Sequence, residues 1–107
     1  MRAIHKFDLS DHVGEYEVEM PRNADILCVQ MQDGRAKGSV YKVNAPRIWA
    51  IVDDSQPKEL RRIVVVGTGW DLPADIGRGE YIGTYQTDGG FVWHVFATKP
   101  NVLGDGR

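Results

Sequence analysis

The most regular pattern in this 107-residue chain is Gly14-Glu15-Tyr16-Glu17-Val18-Glu19-Met20. Its apolar side chains alternate with glutamates, so that Tyr16, Val18 and Met20 share one side of the backbone. Successive side chains point to opposite faces in an extended strand. The stretch therefore predicts a β-strand with one buried face and one face in water.

The same period of two, or a short apolar run between turn residues, recurs along the chain, whereas no long stretch has the period of an amphipathic helix. We expect Leu27, Val29 and Met31 to form one core face, and the run 63–66 to be buried on both faces. The spacing predicts an all-β fold, a single antiparallel β-sandwich or small barrel of about seven strands. One domain is expected over residues 1–97, followed by a flexible tail over 98–107. The other predicted strands are 2–9, 26–32, 46–53, 59–66, 81–86 and 91–97.

Two hairpins are expected from the turn signals. The strand 2–9 is predicted to pair with 14–20, which would place Arg2 and Lys6 opposite the three glutamates. The Gly-rich loop 87–90 predicts a hairpin between the last two strands. Its expected opposite pairs are Ile82 with Val95, Gly83 with His94, and Thr84 with Trp93.

Composition narrows the class of protein. Thirteen basic residues against fifteen acidic ones give a formal net charge of −2, which argues against a nucleic-acid-binding protein of strongly basic type. One cysteine excludes an internal disulfide, and the longest apolar run is too short for a transmembrane helix. The first residues carry no signal-peptide pattern, so we expect a cytoplasmic protein that does not bind a membrane.

No catalytic or metal-binding constellation stands out. His5, His12 and His94 lack the spacing of a metal pair, and Cys28 has no base near it in sequence. Residues 10–12 read Ser-Asp-His, but consecutive loop residues do not form a catalytic triad. We therefore expect no catalytic residue, no metal and no cofactor.

Gly67-Thr68-Gly69 follows an apolar strand, as a phosphate-binding loop does. The dinucleotide fingerprint requires a third glycine three residues on, where this chain has Leu72. The glycines favour a bulge or a change of direction. Their backbone N–H groups remain candidates for binding a small anion.

Two features are candidates for contact with a partner. Trp70 lies in an irregular segment after two glycines, where it either anchors a partner or folds back as a lid over the end of the barrel. Residues 35–47 contain four basic residues and no acid. They form either a solvated surface or a docking patch for a partner of opposite charge. The basic residues are Arg35, Lys37, Lys42 and Arg47.

The chain resembles a family of small proteins of unknown function encoded mainly by bacteriophages and by prophage regions of bacterial genomes. The resemblance spans most of residues 1–97, and the stretch 35–45 looks longer here than is usual in that family. It implies an accessory protein and carries over no catalytic residue. The matching motifs are Ala3–Phe7, Ile26–Gln30 with Gln32 and Gly34, Ile48–Asp53, Val66–Gly69, Glu80–Gln86 and Val92–Phe96.

Three functional hypotheses follow. The first is a non-enzymatic phage-type protein that binds and modulates a host protein, such as a defence component, through Trp70 and the four basic residues. The second is a barrel that binds a small anion or a nucleotide, with a site formed by Gly67, Thr68, Gly69, Trp70, Tyr81, Tyr85 and His94. The third is a structural virion or assembly component that forms a homo-oligomer through a strand edge.

Overall fold

The computed structural model describes residues 1–9, 13–35 and 42–98, with side chains for all of these except 33–35 and 42–44. The predicted tail after Thr98 and the loop residues 10–12 lie outside the described residues. The chain forms seven β-strands and one short 3₁₀ turn, Arg78–Glu80. The strands are β1 Arg2–Asp8, β2 Gly14–Pro21, β3 Asp25–Arg35, β4 Lys42–Asp53, β5 Lys58–Gly67, β6 Tyr81–Thr87 and β7 Phe91–Ala97.

The strands form two antiparallel sheets that pack face to face, which confirms the predicted all-β sandwich. The three-stranded sheet has the order β1-β4-β3, and the four-stranded sheet has the order β2-β5-β7-β6. No helix formed by the described residues is long and apolar enough to cross a membrane.

The predicted pairing of β1 with β2 is wrong. β1 pairs with β4, and β2 pairs with β5, so β1 and β2 belong to different sheets. The reason is burial: Phe7 of β1 and Val18 of β2 both pack on the common core, and they reach it from opposite sides. The glutamate Glu15 is accordingly bound by Arg62 of β5 and not by a residue of β1.

The main core lies between the sheets and centres on fully buried Ile48, Ile63 and Val95. The run 63–66 in β5 is buried on both faces, as predicted. On the outward face of the four-stranded sheet, Val64 and Val66 are covered by Ile76. The connector 68–77 therefore acts as a cover for the second face of β5.

A β-bulge changes the inward face of β3. The register with β4 shifts between Ile26 and Cys28, and Leu27 is left 46% exposed. Val29 and Met31 pack on the core as predicted, whereas Leu27 does not, because the extra residue inverts the alternation before it.

A second bulge shifts the hairpin of β6 and β7 by one residue from the predicted register. Gly83 lies opposite Val95, Thr84 opposite His94, and Tyr85 opposite Trp93. The extra residue, Ile82, accounts for the shift. Gly83 is thereby placed against the other sheet, where a Cβ would lie only 2.7 Å from Val29 Cγ1.

The connections define two ends of the sandwich. Only residues 9–13 separate the end of β1 from the beginning of β2, so both lie at the same end of the sandwich. The registers place the ends of β3 and β5 there as well, together with the beginnings of β4 and β7. We call this the open end. At the opposite end, which we call the closed end, Arg22 N–H donates to the Pro57 carbonyl oxygen and joins the two turns there.

Candidate functional site

Three aromatic side chains meet at the open end. The rings of Trp70 and Trp93 lie edge to face, with centroids 5.3 Å apart and planes at 88°. Phe91 stacks against Trp93, with a centroid distance of 6.3 Å and an interplanar angle of 26°. Such pairs are stabilised by about 0.5–1.5 kcal/mol beyond the burial of their area. The rings therefore support one another in a fixed arrangement.

Glycines make this arrangement of rings sterically allowed. Trp70 lies directly over Gly67, where a Cβ would be 2.9 Å from the indole Nε1. The turn that returns Trp70 to this position has Gly69 at a φ of +89°, and Trp70 N–H donates to the Gly67 carbonyl oxygen at 3.0 Å. Left-handed backbone of this kind favours glycine. The pair Gly67 and Gly69 therefore serves the packing of Trp70.

The aromatic residues line a groove of about 490 Å³. Trp70 is 51% exposed and Phe91 63% exposed, whereas Trp93 is half-buried and donates its Nε1–H to Thr87 Oγ1. Trp70 therefore folds back against Gly67 and Trp93, as one of its two alternatives predicted, and still presents half of its surface to water. Its role as an anchor for a partner stays a prediction. We call this site the aromatic groove; it is lined by Gly67, Thr68, Trp70, Gly90, Phe91, Val92 and Trp93.

A line of polar side chains crosses the outward face of the four-stranded sheet beside the groove. Thr68 Oγ1 lies 2.7 Å from His94 Nε2, and His94 Nδ1 lies 3.2 Å from Thr84 Oγ1. Thr84 Oγ1 in turn lies 2.6 Å from the Tyr81 hydroxyl. We call these four residues the hydroxyl–imidazole line. Thr68 belongs to both the line and the groove.

The structure separates Tyr85 from the other residues of the predicted small-ligand site. Tyr85 is 6% exposed and packs in the main core, where burial raises the pKa of its phenol. The bulge at Ile82 is the physical reason, because it turns Tyr85 inward and brings Thr84 to the outward face instead. The predicted register, which had no bulge, placed Gly83 opposite His94. In the structure, Thr84 lies opposite His94.

The predicted basic contact residues are not equivalent in the structure. Arg47 is 7% exposed, and its Nη1 lies 3.2 Å from Asp8 Oδ1, so its charge is used within the fold and is not presented to a partner. It lies on the central strand β4, in register with Asp8 of β1 and Gln30 of β3. Arg35 and Lys42 form the last described pair of the β3–β4 ladder, and Lys37 lies outside the described residues.

An ion-pair network fastens the connector that carries Trp70. Arg62 on β5 binds both oxygens of Glu15 and both oxygens of Asp75. The guanidinium holds the pKa of Asp75 below its usual value. The connector is thus held by this charged contact as well as by buried Ile76.

The closed end contains a second arginine with a different role. Arg61 is 5% exposed; its Nη1–H donates to the Ala24 carbonyl oxygen at 2.7 Å, and its Nη2–H donates to the Thr98 carbonyl oxygen at 2.8 Å. Burial lowers the pKa of its guanidinium. A pocket of about 210 Å³ lies beside it, but Asp25 and Glu80 also line that pocket and disfavour an anion there.

The described residues offer little for metal or thiol chemistry. Across 1–9, 13–35 and 42–98 there is no group of three His, Cys, Asp or Glu residues that could hold a metal ion. Cys28 is half-buried on β3, with no described disulfide.

Two of the three aromatic members of the groove, Phe91 and Trp93, were not among the predicted site residues. Phe91 shares the inward face of β7 with Trp93 and Val95, but it lies at the beginning of the strand, beyond the buried core. The signal was its place directly after Gly89-Gly90, since the first residue after a hairpin turn often lies outside the packed layer.

These features define a small antiparallel β-sandwich with an aromatic groove at one end. The chain belongs to the family described as a domain of unknown function, DUF7352, whose model matches residues 1–103. No curated protein and no solved structure matches it.

Proposed function

We propose that this protein is a non-enzymatic binding module that engages a protein partner through the aromatic groove. The observation that carries the proposal is the pair of exposed rings, Trp70 and Phe91, held in place by Trp93. Tryptophan is enriched among the few residues that dominate binding energy in protein interfaces.

The groove is also preorganised, which favours binding. Trp70 is fixed by its contact with Trp93 and by the close approach to Gly67, so little side-chain freedom remains to be lost on association. An open groove lined by rings suits a protruding side chain of a partner better than a fully enclosed small molecule.

The resemblance to phage and prophage proteins supports a more specific proposal. A small accessory protein of that origin acts in the host cytoplasm, and its partner is then a host macromolecule. A host-defence component is the first class of partner to test.

The test compares two variants with the native protein. The groove variant combines Trp70→Ala with Phe91→Ala and removes the exposed rings. The matched control is Leu60→Ala, because Leu60 is an apolar residue of β5 that is 59% exposed and does not line the groove. Each protein is immobilised, and the bacterial proteins retained from a host lysate are quantified. We expect at least one protein whose recovery falls about tenfold or more with the groove variant and is unchanged with the control. Equal recovery of every retained protein by all three would contradict the proposal.

A second candidate function is small-ligand binding, which the hydroxyl–imidazole line favours. Each hydroxyl can donate and accept, and an imidazole with both nitrogens engaged orients its neighbours. A neutral polar ligand, a small anion or a nucleotide bound here would raise the free energy of unfolding by about 2.7 kcal/mol at a hundredfold excess over its Kd. A thermal-shift screen with the native protein and Thr84→Val tests this, and only ligands whose stabilisation is lost in the variant count in its favour.

A further inference from the structure

We propose that β1 pairs with β1 of a second copy of this chain, so that the two three-stranded sheets join into one continuous sheet across the dimer. The pairing is antiparallel, and its two-fold axis passes between the two copies of His5. The inference does not depend on the function proposed for the aromatic groove, because it rests on a different part of the sandwich.

Among the outer strands of the two sheets, β1 has the edge that suits such a contact best. The edges of β3 and β6 approach each other, since Gly83 lies against Val29. The edge strand β2 carries three glutamates on one face and ends at Pro21, and a two-fold antiparallel pairing would place glutamates opposite glutamates. β1 contains neither proline nor glycine, and within the described residues it pairs with β4 alone.

Half of the main-chain groups of β1 point away from β4. Leu9 N–H donates to the Pro46 carbonyl oxygen at 3.1 Å. At the other end of the strand, Asp54 N–H donates to the Met1 carbonyl oxygen at 3.2 Å. Both bonds continue the register of β1 with β4, and hydrogen-bonded pairs alternate with non-hydrogen-bonded pairs in an antiparallel ladder. The odd-numbered residues of β1 therefore bond to β4, whereas the even-numbered residues present their N–H and C=O groups at the free edge.

The alternation of these groups and the charges of the side chains select one register. Centred on His5, the pairing sets Arg2 opposite Asp8 of the second copy. It also sets Ile4 opposite Lys6 of the second copy, so that every even-numbered position of both strands takes part. Each such pair exchanges two main-chain hydrogen bonds. Opposite charges in directly opposed positions add to the stability of the pairing.

The neighbouring registers are less favourable. A pairing centred on Ile4 leaves Asp8 without an opposite residue and sets Arg2 opposite Lys6. A pairing centred on Lys6 leaves Arg2 without an opposite residue and sets the two lysines opposite each other. Both registers form fewer main-chain hydrogen bonds, and neither brings opposite charges together. We therefore assign the register centred on His5.

The side chains at this edge are available for the contact. Arg2 is exposed and makes no ion pair with the described residues. The side chain of Asp8 has one ion pair and is still 66% exposed. Ile4 is 60% exposed, so pairing removes apolar surface from water. Lys6 Nζ donates to Gln32 Oε1 on β3, which directs this ammonium over β4 and away from the second copy.

Antiparallel pairing turns the two copies end for end. β1 ends at the open end of each copy, so the two aromatic grooves lie at opposite ends of the dimer. The grooves take no part in the contact. Dimerisation should therefore be unchanged in the groove variant, which combines Trp70→Ala with Phe91→Ala.

The first test measures the dissociation constant of the dimer by sedimentation equilibrium. Ile4→Pro removes an N–H that faces the free edge, a position at which an edge strand tolerates proline. We expect the dissociation constant to rise about tenfold or more. Ile4→Thr keeps the N–H and is the matched control, with an expected change of less than about threefold. Arg2→Glu repeats the test without a proline and should weaken the dimer about tenfold at low salt, and less at high salt.

The second test determines the register from disulfide formation, in a Cys28→Ser background that removes the natural thiol. The two copies of residue 5 face each other in a non-hydrogen-bonded pair, with Cβ atoms about 4.5–5.5 Å apart. His5→Cys should therefore cross-link to itself under mild oxidation. Ile4→Cys and Lys6→Cys are the controls, because the neighbouring registers would cross-link them, and both should react more slowly.

Three outcomes would overturn the inference. The first is a protein that sediments as a monomer at every concentration. The second is a dimer whose dissociation constant is unaffected by both Ile4→Pro and Arg2→Glu, whether or not it is lost in the groove variant. The third is fastest cross-linking through Ile4→Cys or Lys6→Cys, which would show a different register. If Ile4→Pro does not fold, Arg2→Glu and the cross-linking decide.

Discussion

The two ends of the sandwich use their large polar and aromatic side chains in different ways. At the closed end, Arg61 is buried and donates hydrogen bonds to the carbonyl oxygens of Ala24 and Thr98. At the open end, Trp70 and Phe91 are more than half exposed although they belong to an ordered cluster. The polar side chain at the closed end is bound within the chain, whereas the aromatic side chains at the open end leave apolar surface exposed to water.

The two ends show how to distinguish residues that stabilise the fold from residues that can bind a partner: the latter keep hydrogen-bonding groups or apolar area that no contact within the chain uses. A guanidinium whose donors point at main-chain carbonyls stabilises the fold but has little left to bind with. A ring fixed on one side and free on the other retains apolar area that a partner can cover. The comparison therefore predicts that substitutions at the closed end change stability, whereas those at the open end chiefly change binding.

The largest effect is expected for Arg61→Met. The methionine keeps an apolar stem but removes the donors, leaving two carbonyl oxygens at the closed end without their partner. We expect the free energy of unfolding to fall by about 3 kcal/mol, measured by urea denaturation at neutral pH.

The neighbouring residue provides the control. Arg62→Met removes an arginine from the outward face of the same strand, and its ion pairs are exposed, so we expect a much smaller loss of stability than for Arg61→Met. Equal losses for the two variants would show that the closed end is not held by Arg61 in the way described.

We expect Gly67→Ala to lower stability less than Arg61→Met does but to change the structure of the aromatic groove more. Its Cβ would lie 2.9 Å from Trp70 Nε1, so the indole must move off Trp93. The loss of this ring contact should cost about 1 kcal/mol. The Trp70 indole N–H signal in an NMR spectrum should shift, while the Trp49 signal should not.

A double-mutant cycle checks the cause of that effect. In the Trp70→Ala background the added methyl meets no indole, so Gly67→Ala should then have almost no effect on stability. An unchanged cost in that background would show that the strand, and not the ring, requires glycine.

Much of the fold follows from local sequence pattern. The alternation in 14–20 and the β-branched run 63–66 predict β2 and β5 correctly. All seven strands were predicted, although β3 ends three residues later and β4 begins four residues earlier than expected. Alternation specifies which residues of a strand share a face, and the hydrophobic effect decides which face is buried.

The pairing partners and the two bulges did not follow from the pattern. Nothing local distinguishes a β1–β2 hairpin from two strands in different sheets, because alternation indicates only which residues of each strand share a face. Ile82 and Leu27 each add one residue that reverses the face of a strand segment. The first turns Tyr85 into the core, and the second leaves Leu27 exposed. Trp70 was identified as a site residue because its segment lacked periodicity, whereas its contact with Trp93 depends on tertiary packing.

The smallest expected effect concerns pH and the contact that fastens the connector to the four-stranded sheet. Because Arg62 lowers the pKa of Asp75 in the folded protein, the contact contributes stability above the ordinary carboxyl pKa and loses it as pH falls below that value. Native protein and Asp75→Asn should therefore differ in stability by the same small amount between pH 7 and 5, and the difference should disappear in more acidic solution. Urea denaturation at several pH values measures it, with Asp71→Asn as the control from the same connector. No difference between the native protein and Asp75→Asn at pH 7 would show that the connector is held by packing of Ile76 alone.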